Sequence, residues 1–250
     1  MNIAPLPIII FSGPSIQHKD IPDEGLGMFR DPVAQGDVIK TVVEFGPCVI
    51  AIIDGYFQRQ PAVRHKEILW AMAKGSRIFG AASIGALRAA ELADQGMIGF
   101  GLIYRWYRRY ALTPDDAVAV THAPAELGHV PISDALIDLR RSFRSACKEG
   151  VMTHAQERRL TEIATEIPFP QRKLSLILER GATEGIALSV KDLSNHVISQ
   201  KELDARGLLR HLSDLKRSGA FSRPLPTHPF VATDAFIADA RAVGISQEKL

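Results

Sequence analysis

Through the first hundred residues, short runs that are apolar at nearly every position alternate with stretches whose apolar positions recur every three or four residues. The runs in "PIIIFSG", "CVIAIIDG" and "SRIFGAA" predict three strands buried on both faces. Between them, "QGDVIKTVVEFG", "RHKEILWAMAKG" and "IGALRAAELADQG" carry the helical period and close on glycine, the ordinary helix stop. Strands alternating with helices define an α/β fold: an open, mostly parallel sheet with helices on both faces, Rossmann-like or flavodoxin-like. From about residue 150 the pattern is amphipathic helix only, cut by Pro and Gly and running into the Pro-rich "SRPLPTHPFVATDAF". The expected division is an α/β core over residues 1–145 and a helical C-terminal appendage over 146–250.

An open parallel sheet places ligands beyond the carboxyl ends of its strands. There the sequence sets three turns, Ser12-Gly13-Pro14-Ser15, Asp54-Gly55 and Ala81-Ala82-Ser83-Ile84-Gly85. The spacing Ala81-x-Ser83-x-Gly85 is a relaxed nucleophile elbow, in which small neighbours let a tight strand-to-helix turn expose a hydroxyl. Ser83 also fits a plain helix N-cap, and both readings stand at this level. As a nucleophile it would have the amides of Ile84 and Gly85 for an oxyanion. His65 is then the candidate base and Asp54 its orienting acid, although Asp54-Gly55 also reads as a turn and His65-Lys66-Glu67 as a solvated first helical turn. Ser12, Gly13 and Ser15 supply the material of an anion nest, or of a tight turn around Pro14. Arg88 and Glu91 lie one turn apart on the elbow helix, and with Lys66 and Glu67 they are candidate substrate contacts. His122 is the alternative base. Asp115 and Asp116 follow Pro114 as a helix-start signal.

Composition narrows the partners. The 250 residues carry a net charge of +2, too little for a nucleic-acid face. Arginines cluster at Arg105, Arg108 and Arg109 and at Arg140, Arg141 and Arg144, as an anionic-partner patch or as solvated helix faces. Two cysteines, Cys48 and Cys147, form no CxxC pair, so no disulfide framework is expected and the cytoplasm is the expected compartment. The eight histidines form no helical i, i+4 pair, so neither a metal site nor a cofactor is expected. The amino-terminal stretch lacks a basic segment and cleavage pattern, and no membrane partner is expected. In the helical half, Leu203, Leu208, Leu209 and Leu212 with Lys201, Arg206 and Arg210 make an amphipathic segment. It is expected to serve self-association or partner docking and to hold no catalytic residue.

The ordered set "IFSGPSI", "AIIDGYF", "VRHKEILWAMAKG", "FGAASIGALRAAEL", "PDDAVAVTHAP" and "HVPISDALIDLR" resembles the core domain of TfuA-like proteins over residues 8–141. The resemblance implies a partner of YcaO enzymes, which use ATP to activate a peptide amide oxygen for replacement by sulfur, giving a thioamide in a ribosomal peptide. It further implies help with sulfur supply, for example from a ubiquitin-like carrier ending in a thiocarboxylate, with the precursor peptide as another candidate partner. Two readings follow, a serine hydrolase that releases sulfide and a non-catalytic activator that docks on YcaO. A third, independent of the resemblance, is a small-molecule module binding an anion at Ser12, Ser15 and the Ser83 helix start.

Overall fold

A computed structural model describes residues 5–16, 21, 23, 25–56, 60–110, 114–222 and 229–250. Five parallel strands, β1 (Ile8–Phe11), β2 (Met28–Arg30), β3 (Val49–Ile52), β4 (Arg77–Gly80) and β5 (Ile98–Gly99), lie in the order β2-β1-β3-β4-β5. This is the flavodoxin-like order, with the switch point between β1 and β3. β1 and β3 are buried at all four positions and pair in register from Ile8 against Val49 to Phe11 against Ile52. The three strands expected from the apolar runs are the central three. β2 and β5 add short edges.

The alternating half covers one face. Helices α1 (Asp37–Phe45), α2 (His65–Ala73), α3 (Ile84–Glu91) and α4 (Gly101–Arg109) bury Val38, Ile68, Ala86 and Ile103 against Ile9, Phe11, Ile50, Ile52 and Ile78. Connections from β2 to β3, β3 to β4 and β4 to β5 all step in one direction, and right-handed crossovers put their helices on one side. The step from β1 to β2 runs the other way, and among its described residues there is no helix. The opposite face is closed from far along the chain. Ala205, Leu208, Leu209 and Leu212 of α9 (Gln200–Arg217) pack on Ile8, Ile10, Val49, Ala51, Ile53 and Phe79.

Helices α5 (Leu136–Lys148), α6 (His154–Glu166), α7 (Leu174–Thr183) and α8 (Val190–Leu193) gather a second core around Phe143, Leu160, Ile163 and Ile177. The Arg172 side chain is 1% exposed there. Its Nε–H donates to the Ala164 carbonyl at 2.8 Å and Nη2 meets Asp116 Oδ2 at 3.0 Å. Asp116 therefore neutralises a buried guanidinium. The last helix, α10 (Asp234–Ala242), returns Phe236 and Ala240 to the sheet core.

Glu67 joins two helix starts. Its Oε1 accepts Arg64 N–H at 2.8 Å at the head of α2, and Oε2 accepts Gly36 N–H at 2.9 Å and Val38 N–H at 3.3 Å at the head of α1. Burial pushes its carboxyl from the ordinary 4.5 up to about 7, against the pull of these amides. The folded state then holds the proton more tightly than the unfolded chain, so the group's contribution is complete below 4.5 and is lost as pH climbs through about 7. Glu67→Gln faces one donor amide with its own NH2, which costs about 1–3 kcal/mol. Thermal melts at about pH 5 and about pH 8 should show a lower Tm for the variant and a flatter fall of Tm with pH than in the wild type.

Candidate functional site at the carboxyl edge

Asp54 leaves β3 at the switch point and is 1% exposed. Its Oδ2 accepts Gly13 N–H and Ser15 N–H, each at 3.0 Å, and its Oδ1 accepts the Ser15 hydroxyl at 2.6 Å. A buried carboxylate needs donors of this kind, and the turn after β1 supplies them. Two expectations are thereby corrected. Asp54 orients the first loop and not His65, and the amides of Gly13 and Ser15 are spent on Asp54 and not held for an oxyanion. Ser12 donates its N–H to Arg30 O at 3.0 Å and lines a cavity of about 190 Å³ with Asp31 and His129.

The turn from β4 into α3 is built by close backbone approach. A Cβ on Gly85 would lie 1.7 Å from the Ile52 carbonyl oxygen, and one on Gly80 would lie 2.0 Å from that of Gly85. Only glycines let this helix start sit down on β3 and β4. Ala82 carries φ +65°, a left-handed conformation that costs a non-glycine residue of order 1–3 kcal/mol. Ser83 follows at the N-cap, 3% exposed, with a hydroxyl that makes no capping bond. Its backbone carbonyl accepts Ala86 N–H at 2.9 Å. By their place in the first turn, the amides of Ile84 and Gly85 have no intrahelical acceptor. The cap alternative therefore fails at the side chain, leaving a hydroxyl with no structural bond beside two open donors.

His65 lies elsewhere. Its Nε2 is 2.8 Å from Glu91 Oε2, which also accepts Arg88 Nη1–H at 2.6 Å, while Arg88 Nε–H donates to Val63 O at 3.0 Å. Burial works against the Glu91 charge, but the hydrogen bonds from His65 and Arg88 outweigh it and hold the carboxyl below its usual range. Glu91 is two turns beyond Ser83, about 12 Å along the helix. Lys66 reaches the Val231 carbonyl at 3.3 Å and the Phe230 ring. These four side chains tie α2, α3 and the last loop together.

Two groups that the sequence did not assemble stand at the carboxyl edge, although it had named His122 as the alternative base. The first is a chain of imidazoles. Asp31 Oδ1 is 3.1 Å from His129 Nε2, His129 Nδ1 is 3.4 Å from His122 Nδ1, and His122 Nδ1 is 2.8 Å from the Ala123 carbonyl. The contacts set the tautomers: His122 Nδ1–H donates to Ala123 O and towards His129, and His129 Nε2–H donates to Asp31. His122 Nε2 is left as the unprotonated nitrogen. Its ring lies 5.7 Å from that of Tyr56, and Tyr56 follows Gly55, whose Cβ would meet the Ile84 side chain at 2.7 Å. The second group is Lys201, 3% exposed at the head of α9, which donates to Val118 O at 2.8 Å. Burial draws its ammonium down against the opposing charges of Asp54 and Asp138. Burial in turn raises Asp138 to about 6, although Lys201 pulls it back. Lys201, Asp138, Ser133, Ser199 and Pro14 line a cavity of about 220 Å³. The segment expected to carry only docking positions thus brings a charged side chain to this edge.

Residues 54–173 match the model of the family described as TfuA-like protein. The matched stretch holds Asp54, Ser83, His122, His129, Asp138 and Arg172, and leaves the Ser12–Ser15 loop, Asp31 and Lys201 outside it. It begins later and ends further on than the resemblance over residues 8–141. Over these residues, just under half of the chain, the sequence is that of a TfuA-like domain, which ties it to YcaO-associated systems in general. No curated protein matches the chain. Among the described residues no helix is long and apolar enough to cross a membrane.

Proposed function

We propose that this TfuA-like protein supplies sulfur for YcaO-dependent, ATP-driven thioamidation of a ribosomal peptide by cleaving the terminal thiocarboxylate of a ubiquitin-like carrier, with Ser83 as nucleophile. The observation that carries the reading is the strained Ala82 turn, which sets the uncapped Ser83 hydroxyl beside the free first-turn amides of α3. Ser83 Oγ adds to the carbonyl carbon, the displaced electron pair resting on oxygen opposite Ile84 and Gly85 N–H. His122 Nε2 takes the hydroxyl proton, positioned through His129 and Asp31. When the adduct collapses the carbon–sulfur bond breaks, and the proton leaves with sulfur as hydrosulfide. Water then cleaves the Ser83 ester, giving the carrier's carboxylate and restoring the hydroxyl. His122 replaces His65 as base in this scheme because His65 is committed to Glu91. Two free cysteines fit the same cytoplasmic setting.

His122→Ala should cut sulfide release by about 10²–10⁴-fold, the ordinary worth of a general base. Asp31→Asn should cost less and shift the pH–rate profile, since it acts through the imidazoles. A wild-type rate in His122→Ala assigns the base elsewhere. Excess free sulfide in a reconstituted YcaO reaction tests the role as a whole. A sulfur donor becomes dispensable under those conditions, whereas continued need for the protein marks the non-catalytic docking role instead.

A further inference from the structure

Far from the carboxyl edge, the junction of α5 and α6 gathers three side chains of different chemistry. Cys147 stands in the last turn of α5, and His154 and Glu157 in the first turn of α6. Cys147 Sγ is 3.2 Å from His154 Nδ1, which is 3.7 Å from Glu157 Oε2, and the three donor atoms all lie within 4.8 Å of one another. Both contacts use the same imidazole nitrogen. A nucleophilic triad needs the two ring nitrogens to face different partners, so this is not a relay. If the thiol donates to Nδ1, that nitrogen presents a lone pair with a carboxylate oxygen facing it. Three donor atoms turned on one point, with no proton between the imidazole nitrogen and the carboxylate, is an arrangement that a cation resolves once it displaces the thiol proton.

We propose that Cys147, His154 and Glu157 bind a divalent transition metal of the zinc class. A tetrahedral ion with Zn–S near 2.3 Å and Zn–N and Zn–O near 2.0–2.1 Å sets its donors about 3.4–3.6 Å apart, close to the two measured separations. Thiolate with imidazole selects zinc or cobalt over magnesium or calcium. Three protein ligands leave a fourth position for water. The His154 side chain is 88% exposed, so the ion is reachable from solvent. The turn between the helices is short, with Gly150 at φ +76°, and an ion there would fasten α5 to α6. The helical period hides the set, because its spacing of seven and then three residues is neither CxxC nor a histidine pair.

Cobalt(II) chloride added to the full-length, metal-stripped protein tests this directly. One Co²⁺ per chain should bind with a near-ultraviolet thiolate-to-cobalt charge-transfer band, which stoichiometric Zn²⁺ displaces. Cys147→Ser should abolish the band. His154→Ala and Glu157→Gln should each weaken binding by more than the roughly 10–100-fold lost with an outer-shell partner. Cys48 is a built-in control, since it is buried and its thiol is pushed up to about 11, so Cys48→Ala should leave the band in place. No charge-transfer band, or one that survives Cys147→Ser, overturns the site. The junction is exposed enough for the three variants to fold, and matched circular dichroism confirms it.

Discussion

Ser83→Ala should lower sulfide release from a thiocarboxylated carrier by at least about a thousandfold, the scale on which a serine nucleophile's loss is felt. The fold should survive. The Ser83 hydroxyl makes no capping bond to α3, so its removal breaks no helix contact, and because a buried hydroxyl without a partner contributes little to stability, Tm should stay close to that of the wild type. Ala82→Gly isolates the turn: it relieves the left-handed strain at φ +65° and should stabilise the protein slightly while loosening the hydroxyl's placement. A Ser83→Ala variant that melts like the wild type and releases sulfide at the wild-type rate would remove Ser83 from the chemistry.

Ending the chain at residue 198 removes α9 and should leave a protein that aggregates. Leu208, Leu209 and Leu212 are each at most 1% exposed against the sheet, and burying three leucines contributes about 5–9 kcal/mol, comparable with the whole stability of a domain. Asp204 adds to this, since its Oδ1 accepts Leu102 N–H at 3.0 Å and its Oδ2 accepts Ile103 N–H at 2.7 Å at the head of α4. The chain is therefore expected to fold as one unit, with its C-terminal half required by its sheet. Leu208→Ala gives the graded version, costing about 2–5 kcal/mol, which calorimetry of the full chain reads directly. A soluble, monomeric 1–198 fragment with cooperative melting would show instead that the α/β core stands alone.

The central strands were legible because each is a short run that is apolar at nearly every position, Arg77 at the start of β4 being the exception. β2 and β5, three and two residues long, give no such signal. The partner of α9 was hidden for a different reason. Its buried stripe runs Lys201, Ala205, Leu208, Leu212, a helical spacing visible in the sequence. Which face it covers follows from the reversed β1-to-β2 step, a property of strand order. Lys201 reads as a basic residue of an amphipathic helix, yet its place at the head of that stripe was the available sign of burial. At the site, the elbow could be read from three small residues around one hydroxyl. The pairings could not: Asp54 meets Ser15 across 39 residues, His65 meets Glu91 across 26, and Asp31 meets His129 across 98. No local spacing encodes contacts between elements that only the fold brings side by side.

The claim that sulfur is released here, before YcaO acts, is tested most directly by the mass of the carrier. A thiocarboxylated ubiquitin-like carrier incubated with this protein alone, without YcaO or ATP, should convert to the carboxylate, one sulfur replaced by one oxygen, with an equal amount of sulfide appearing at a rate proportional to protein concentration. A carrier that keeps its thiocarboxylate through that incubation, with protein whose fold is verified, would contradict the account.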